Sequence, residues 1–196
     1  MRYKVTEQEI HAAKTPHHIF NINVIITHII FSVLVLEIGD IPALLLIPLI
    51  SSLVIFYLYH HKNSANVQSS WFVSAHWMLA WRRGRILLFS YAIALAMVAI
   101  YWIIDQVFPG GFSMNDFSTD NSQTNLSKII TIYFAAVVIF VAILITFTQT
   151  GISIYDAGEG ILDPAIEKLV PRDANANEAL GIGSDEVQHA NIKKMD

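Results

Sequence analysis

Four long runs of this chain contain no lysine, arginine, aspartate or glutamate: Ile19 to Leu36, Ile41 to Tyr59, Ile86 to Ile104 and Ile129 to Thr150. A helix of about 20 apolar residues crosses the hydrocarbon core of a bilayer, and one charge at mid-membrane costs about 3 kcal/mol or more. The four runs therefore predict four spans, and the fold class is an all-α membrane protein with four transmembrane helices. Composition agrees, with 54% hydrophobic and 14% charged residues, whereas soluble domains carry about 25% charge.

The cations set the orientation. Arg2, Lys4 and Lys14 precede the first run, Lys62, Arg82, Arg83 and Arg85 lie between the second and third, and Lys168, Arg172, Lys193 and Lys194 follow the fourth. The other two connections hold Glu37, Asp40, Asp105, Asp116 and Asp120, with Lys128 as their one basic residue. By the positive-inside rule both termini lie in the cytoplasm. Composition and loop economy point to a bacterial inner membrane. The chain divides into a cytoplasmic N-terminal segment (1–18), a four-helix transmembrane domain (19–150) and a cytoplasmic tail (151–196). The first run ends in Leu-Glu-Ile-Gly-Asp without a small-residue cleavage pattern and reads as a retained span rather than a signal peptide. The net charge of −4 comes without any basic patch, so nucleic acid is set aside as a partner. The absence of cysteine removes disulfides, thiolate metal sites, iron–sulfur ligation and thiol catalysis.

Several local patterns refine this outline. Thr6 and Glu9 form a capping-box pattern for a short helix that should end before Thr15-Pro16. In the first span Asn21, His28 and Ser32 fall within about 20° of one another at 3.6 residues per turn, while Asn23 and Thr27 lie on the far side. Lipid satisfies none of these groups, which predicts that the first helix is central and packed on both faces. In the second span Pro42 sits in the favourable first turn, and Pro48 should kink the helix by freeing the carbonyl of Leu44. Ser51 and Ser52 just beyond it are expected to bond their own backbone in preference to reaching His28. The stretch with Trp71, Trp77, Trp81, Arg82, Arg83 and Arg85 is expected at the membrane interface, in a bent extension of the third helix or a separate interfacial helix before it. Ala92 and Ala96 form a small-xxx-small pair, extended by Ala99, that allows another helix to approach closely. Residues 105–127 read as a polar extracytoplasmic loop with a turn at Pro109-Gly110-Gly111. In the tail, Asp163-Pro164 starts a helix whose Ile166, Leu169 and Val170 share an apolar face that should rest on the same protein, and the remainder reads as largely irregular.

Histidine is the one residue type that invites a chemical reading. His17, His18, His60, His61 and His76 fall on the cytoplasmic side and are the candidate metal ligands, while His28 lies near mid-membrane as the candidate haem ligand. The layout is similar at a distance to that of membrane di-iron hydroxylases and desaturases. Their His-x3-His and His-x2-His-His sets are missing, since no two histidines here are three or four apart. A second haem ligand is also missing, because the third and fourth spans contain neither histidine nor cysteine, and Met97 is their only thioether. A transporter would show intramembrane carboxylates, matched broken helices or internal repeats. The favoured reading is a non-enzymatic multi-pass subunit, without a resident cofactor, that touches lipid and packs against other integral membrane subunits of a larger complex. Its expected partner-packing residues are Asn21, His28, Ser32, Ala92 and Ala96. The alternatives are a redox or metal-binding membrane protein holding haem b or iron, and a component of a small transporter or channel.

Overall fold

The structure, a computed structural model, describes residues 2–38, 41–68, 70–109, 113–115 and 123–170. It contains four helices long and apolar enough to cross a membrane, Glu7–Ile38, Ala43–His61, Trp71–Val107 and Leu126–Gly158. The first comprises α1 (Glu7–Asn23), a π-helical segment (Val24–Ile30) and α2 (Phe31–Ile38). A 3₁₀ turn (Ile41–Leu45) leads into α3 (Leu46–Gln68), followed by α4 (Trp71–Val107), α5 (Leu126–Gly158) and the single-turn α6 (Pro164–Glu167). The α4–α5 connection contains a small antiparallel ribbon of β1 (Ser113–Asn115) and β2 (Gln123–Asn125), with Ser113 opposite Asn125. One end of the bundle therefore carries this ribbon, and the other carries the N-terminal segment and α6.

The capping box at the start of α1 is present: Glu9 N–H donates to Thr6 Oγ1 at 3.3 Å, and Thr6 N–H donates to Glu9 Oε2 at 2.8 Å. The helix does not end before Thr15-Pro16, however, but runs straight through Pro16. Pro16 forfeits one helical hydrogen bond, and Thr15 Oγ1 donates back to the His11 carbonyl at 3.1 Å. Pro16, His17 and Phe20 are all buried, so the packing of this face outweighs that loss. Just upstream of Pro48 the helix type changes from 3₁₀ to α at Leu46, next to the Leu44 carbonyl that the proline was expected to free. Pro48 then stands in the first turn of α3, where backbone N–H groups lack helical partners in any case.

The central helix is α4, which packs against α1, α3 and α5. The first helix, expected to be central, shares this place through its inner part, since α1 likewise packs against α3, α4 and α5, whereas its outer part, α2, has no buried residue and packs chiefly on its own flanking segments. Gly84 explains how α4 gathers its neighbours. A β-carbon there would lie 2.9 Å from Ile55 Cγ2 and 3.6 Å from Phe20 Cε2, and both of those side chains are fully buried. The backbone of α4 is thus in direct contact with α3 and α1. On the other side, α5 presents a buried stripe of small residues, Ala135, Ala142, Thr146, Thr150, Ser153 and Ala157. Its threonines are satisfied locally: Thr146 Oγ1 donates to the Ala142 carbonyl at 2.7 Å, and Thr150 Oγ1 to the Thr146 carbonyl at 2.6 Å.

At the terminal end the chain folds back over the bundle. Arg2 forms a bridge with Ile161, Tyr3 N–H donates to the Gly160 carbonyl at 2.7 Å, and Arg2 pairs with Glu159 at 2.7 Å. Gly160 adopts φ +68°, and a β-carbon there would meet the Tyr3 carbonyl at 2.6 Å, so this position needs glycine on both counts. Asp163 caps α6 by accepting from Ala165 N–H at 2.9 Å, with Pro164 at the first position. Leu162 and Ile166 are buried beneath this cap, and Trp71 Nε1 donates to the Val170 carbonyl at 2.7 Å. The apolar face rests on the same protein, but its members are Leu162, Ile166 and Val170; Leu169 is 56% exposed because α6 lasts a single turn. The expectation of an irregular tail beyond Val170 falls outside the described residues.

Gly84→Leu should destabilise the protein by about 1–3 kcal/mol through overpacking against Ile55 and Phe20. Gly151→Leu, at a site where a β-carbon meets nothing within 4 Å, should be close to neutral. Thermal unfolding followed by circular dichroism in mild detergent checks the difference.

Candidate functional site

The first helix carries two polar centres, about 9 Å apart along its axis at 1.5 Å per residue. The outer one begins with the π-helical segment. Phe31 N–H bonds the carbonyl of Ile26, five residues back, so residues five apart align. Asn23 and His28 would stand about 140° apart on an α-helix, but here both enter one network, Asn23 through Ser51 on α3 and His28 through Tyr91 on α4. The stripe of Asn21, His28 and Ser32 expected from a period of 3.6 is therefore broken: Asn23 and Thr27 are buried, while Asn21, His28 and Ser32 are half-buried. Pi-helical turns of this kind recur at functional sites.

Three helices share the resulting hydrogen bonds. Asn23 Nδ2 donates to Ser51 Oγ at 2.9 Å, and Tyr91 Oη donates to the same oxygen at 2.9 Å. Tyr91 Oη also lies 2.5 Å from His28 Nε2, with the two rings stacked at 21°. Tyrosine has one O–H, and Ser51 accepts it, so the histidine contact runs the other way, from Nε2–H to Oη. Thr27 Oγ1 is satisfied within its own helix, donating to the Asn23 carbonyl at 2.6 Å. Ser51 thus reaches across the bundle, against the expectation of local bonding, because it is fully buried facing Asn23 and Tyr91. Tyr91 is not among the residues that the sequence pattern singles out. The available signal was its hydroxyl, which must find a partner inside an apolar run.

The inner centre joins α1 to α4 through two fully buried histidines. His17 Nε2 and His76 Nδ1 are 3.0 Å apart, with the rings perpendicular at 89°. One nitrogen donates and the other accepts, so at least one ring of the pair is neutral. His17 Nδ1 and Ser153 Oγ are buried without a hydrogen-bond partner, and the backbone of Ile161, in the terminal cap, faces His76. Phe72 packs against the His76 ring at 4.7 Å between centroids. Deeper in the bundle Arg83 donates to the Gln149 carbonyl, with Asp163 and Asp156 as the charges that balance it. The two centres are separated by the close packing of Phe20, Ile55 and Gly84.

The remaining candidate ligands are dispersed. His18 and His60 are exposed, and His61 packs on Tyr57 and Trp77, with centroids 5.6 and 4.3 Å away. Among the described residues no three of histidine, aspartate and glutamate gather as a metal site would require. His28 directs Nε2 at Tyr91, so ligation of a haem iron through that nitrogen would break the outer network. The aromatic and basic residues before the third span also divide. Trp77 is buried, Trp71 is partly buried under the terminal cap, and Arg83 points inward, whereas Arg82 and Arg85 are exposed. Comparison with protein-family models, curated proteins and solved structures finds no match to this chain.

Tyr91→Phe removes two interhelical hydrogen bonds and should lower stability in a bilayer or detergent by about 1–2 kcal/mol. A double-mutant cycle with Ser51→Ala should give a coupling of the same sign. His76→Phe keeps the ring but leaves His17 Nε2 buried and unpaired, and should cost about 1–3 kcal/mol in equilibrium unfolding.

Proposed function

We propose that this chain is a non-enzymatic, multi-pass subunit of a bacterial inner membrane, with both termini in the cytoplasm, that docks beside a larger membrane complex. The observation that carries this reading is the direction of the small-residue strip on α4. Ala92, Ala96 and Ala99 are all exposed, while α4 meets its own neighbours through the opposite face, at Gly84, Leu87, Tyr91 and Ala94. A strip of this kind lets a second helix approach the backbone closely. The outer half of the first helix adds to it, since α2 buries none of its side chains within the chain and carries Ser32, a polar group that lipid cannot satisfy. Partner contacts then fall on Ala92, Ala96 and Ser32, whereas His28 is directed at Tyr91.

Purification from native membranes in mild detergent tests the proposal. A defined set of larger membrane companions is expected with the wild-type chain and is lost with Ala92→Leu/Ala96→Leu, whose own fold is intact. A solitary, monodisperse wild-type species would overturn it. The orientation has its own check: a reporter fused after Asp196 should be active in the cytoplasm and silent in the periplasm.

A second reading, a redox or metal-binding membrane protein, draws on the His17–His76 pair, two buried imidazoles held on different helices with facing nitrogens 3.0 Å apart. Metal analysis and a visible absorption spectrum of purified protein separate the two, since stoichiometric iron or a haem band would favour the second.

A further inference from the structure

The charges at the terminal end are unevenly divided. From Ile41 to Ile104 the chain contains no aspartate or glutamate, yet this stretch carries Lys62, Arg82, Arg83 and Arg85. The described acids of the terminal end belong to the start of α1, the end of α5 and the cap: Glu7, Glu9, Asp156, Glu159, Asp163 and Glu167. Arg83 is drawn into that side, donating to the Gln149 carbonyl and balanced by Asp163 and Asp156. Arg82 and Arg85 stay outside. Both are exposed, they stand one helical turn apart, and the one ion pair among the described residues, Arg2 with Glu159, involves neither. Beside them lies an aromatic shelf shared by two helices: Trp81 and Tyr59 approach to 4.7 Å between centroids, and the Arg85 guanidinium lies 6.0 Å from the Trp81 ring centroid. All of this sits where the apolar part of α4 begins, at Ile86 and Leu87, the level of a lipid headgroup.

A pair of guanidinium forks, next to aromatic rings and facing the end of an apolar helix surface, matches an anionic phosphodiester above its acyl chains. We propose that Arg82 and Arg85, backed by Trp81 and Tyr59, form a binding site for the headgroup of an anionic phospholipid in the leaflet at the terminal end. The distinction from Arg83 is the core of the assignment: of three neighbouring arginines, one is an internal structural group and two recognise lipid.

The full chain in detergent, exposed to equal amounts of phosphatidylglycerol and phosphatidylcholine and examined by native mass spectrometry, provides the test. The wild type should retain phosphatidylglycerol about tenfold over phosphatidylcholine, given two cations near the surface. Arg82→Gln/Arg85→Gln should bring that ratio close to one. Lys4→Gln/Lys168→Gln removes the same charge from the acidic side and should leave the ratio in place. If the double arginine variant does not fold, Arg85→Gln alone should lower the ratio about threefold. The proposal is overturned by a wild type without preference, by a preference that survives loss of the arginines, or by equal losses in the two double variants.

Discussion

Lipid offers no hydrogen bonds, and the polar side chains of the first helix are the point at which this fold answers that constraint. Asn23, Thr27 and His28 sit in the middle of an apolar run, and each must find a partner in protein. Thr27 bonds the Asn23 carbonyl of its own helix, while Asn23 and His28, on either side of the widened turn that begins at Val24, reach α3 and α4. Ser51 on α3 and Tyr91 on α4 complete the network. The positions of three helices follow from it, since Ser51 and Tyr91 must be at one depth and on facing sides. The deeper contact of α4 with Phe20 and Ile55 through Gly84 is the apolar counterpart of the same arrangement.

The two ends of the bundle differ in character. The terminal end resembles a soluble domain, with a capped helix start, a strand bridge, an ion pair, a buried histidine pair and a short helix folded over the top. Its stability rests on specific polar contacts. At the ribbon end, among the described residues, α2 buries no side chain, and Asn125, at the end of β2, donates a hydrogen bond to Tyr101 of α4 at 3.2 Å. The exposed alanine strip on α4, Ala92, Ala96 and Ala99, lies between the two ends.

Much of the architecture was legible from the linear order of residues. The absence of charge over four runs marks the spans, and the helices Glu7–Ile38, Ala43–His61, Trp71–Val107 and Leu126–Gly158 contain most of each run. The capping box at Thr6 and the start of α6 at Asp163-Pro164 were readable because both depend on neighbours within four residues. The polar stripe differs from its expected phase for a physical reason: a period of 3.6 does not hold across a segment that winds with i to i+5 hydrogen bonds. Pro16 reads as a helix end because local propensity treats proline as a breaker wherever it occurs, and the buried contacts of Pro16, His17 and Phe20 decide otherwise. Trp71, Trp77 and Arg83 look like their neighbours Trp81, Arg82 and Arg85 in sequence, and helical phase alone does not say which side the terminal cap will cover.

By itself, then, the order of residues determined that the chain forms four helices long and apolar enough to cross lipid, because the penalty for burying charge in hydrocarbon acts on each segment independently of the others. The tertiary structure decided which helix is central, which histidine meets which partner and which arginine is withdrawn from the surface. Those outcomes depend on the relative depth and rotation of separate helices, and such quantities arise only when the helices are packed together.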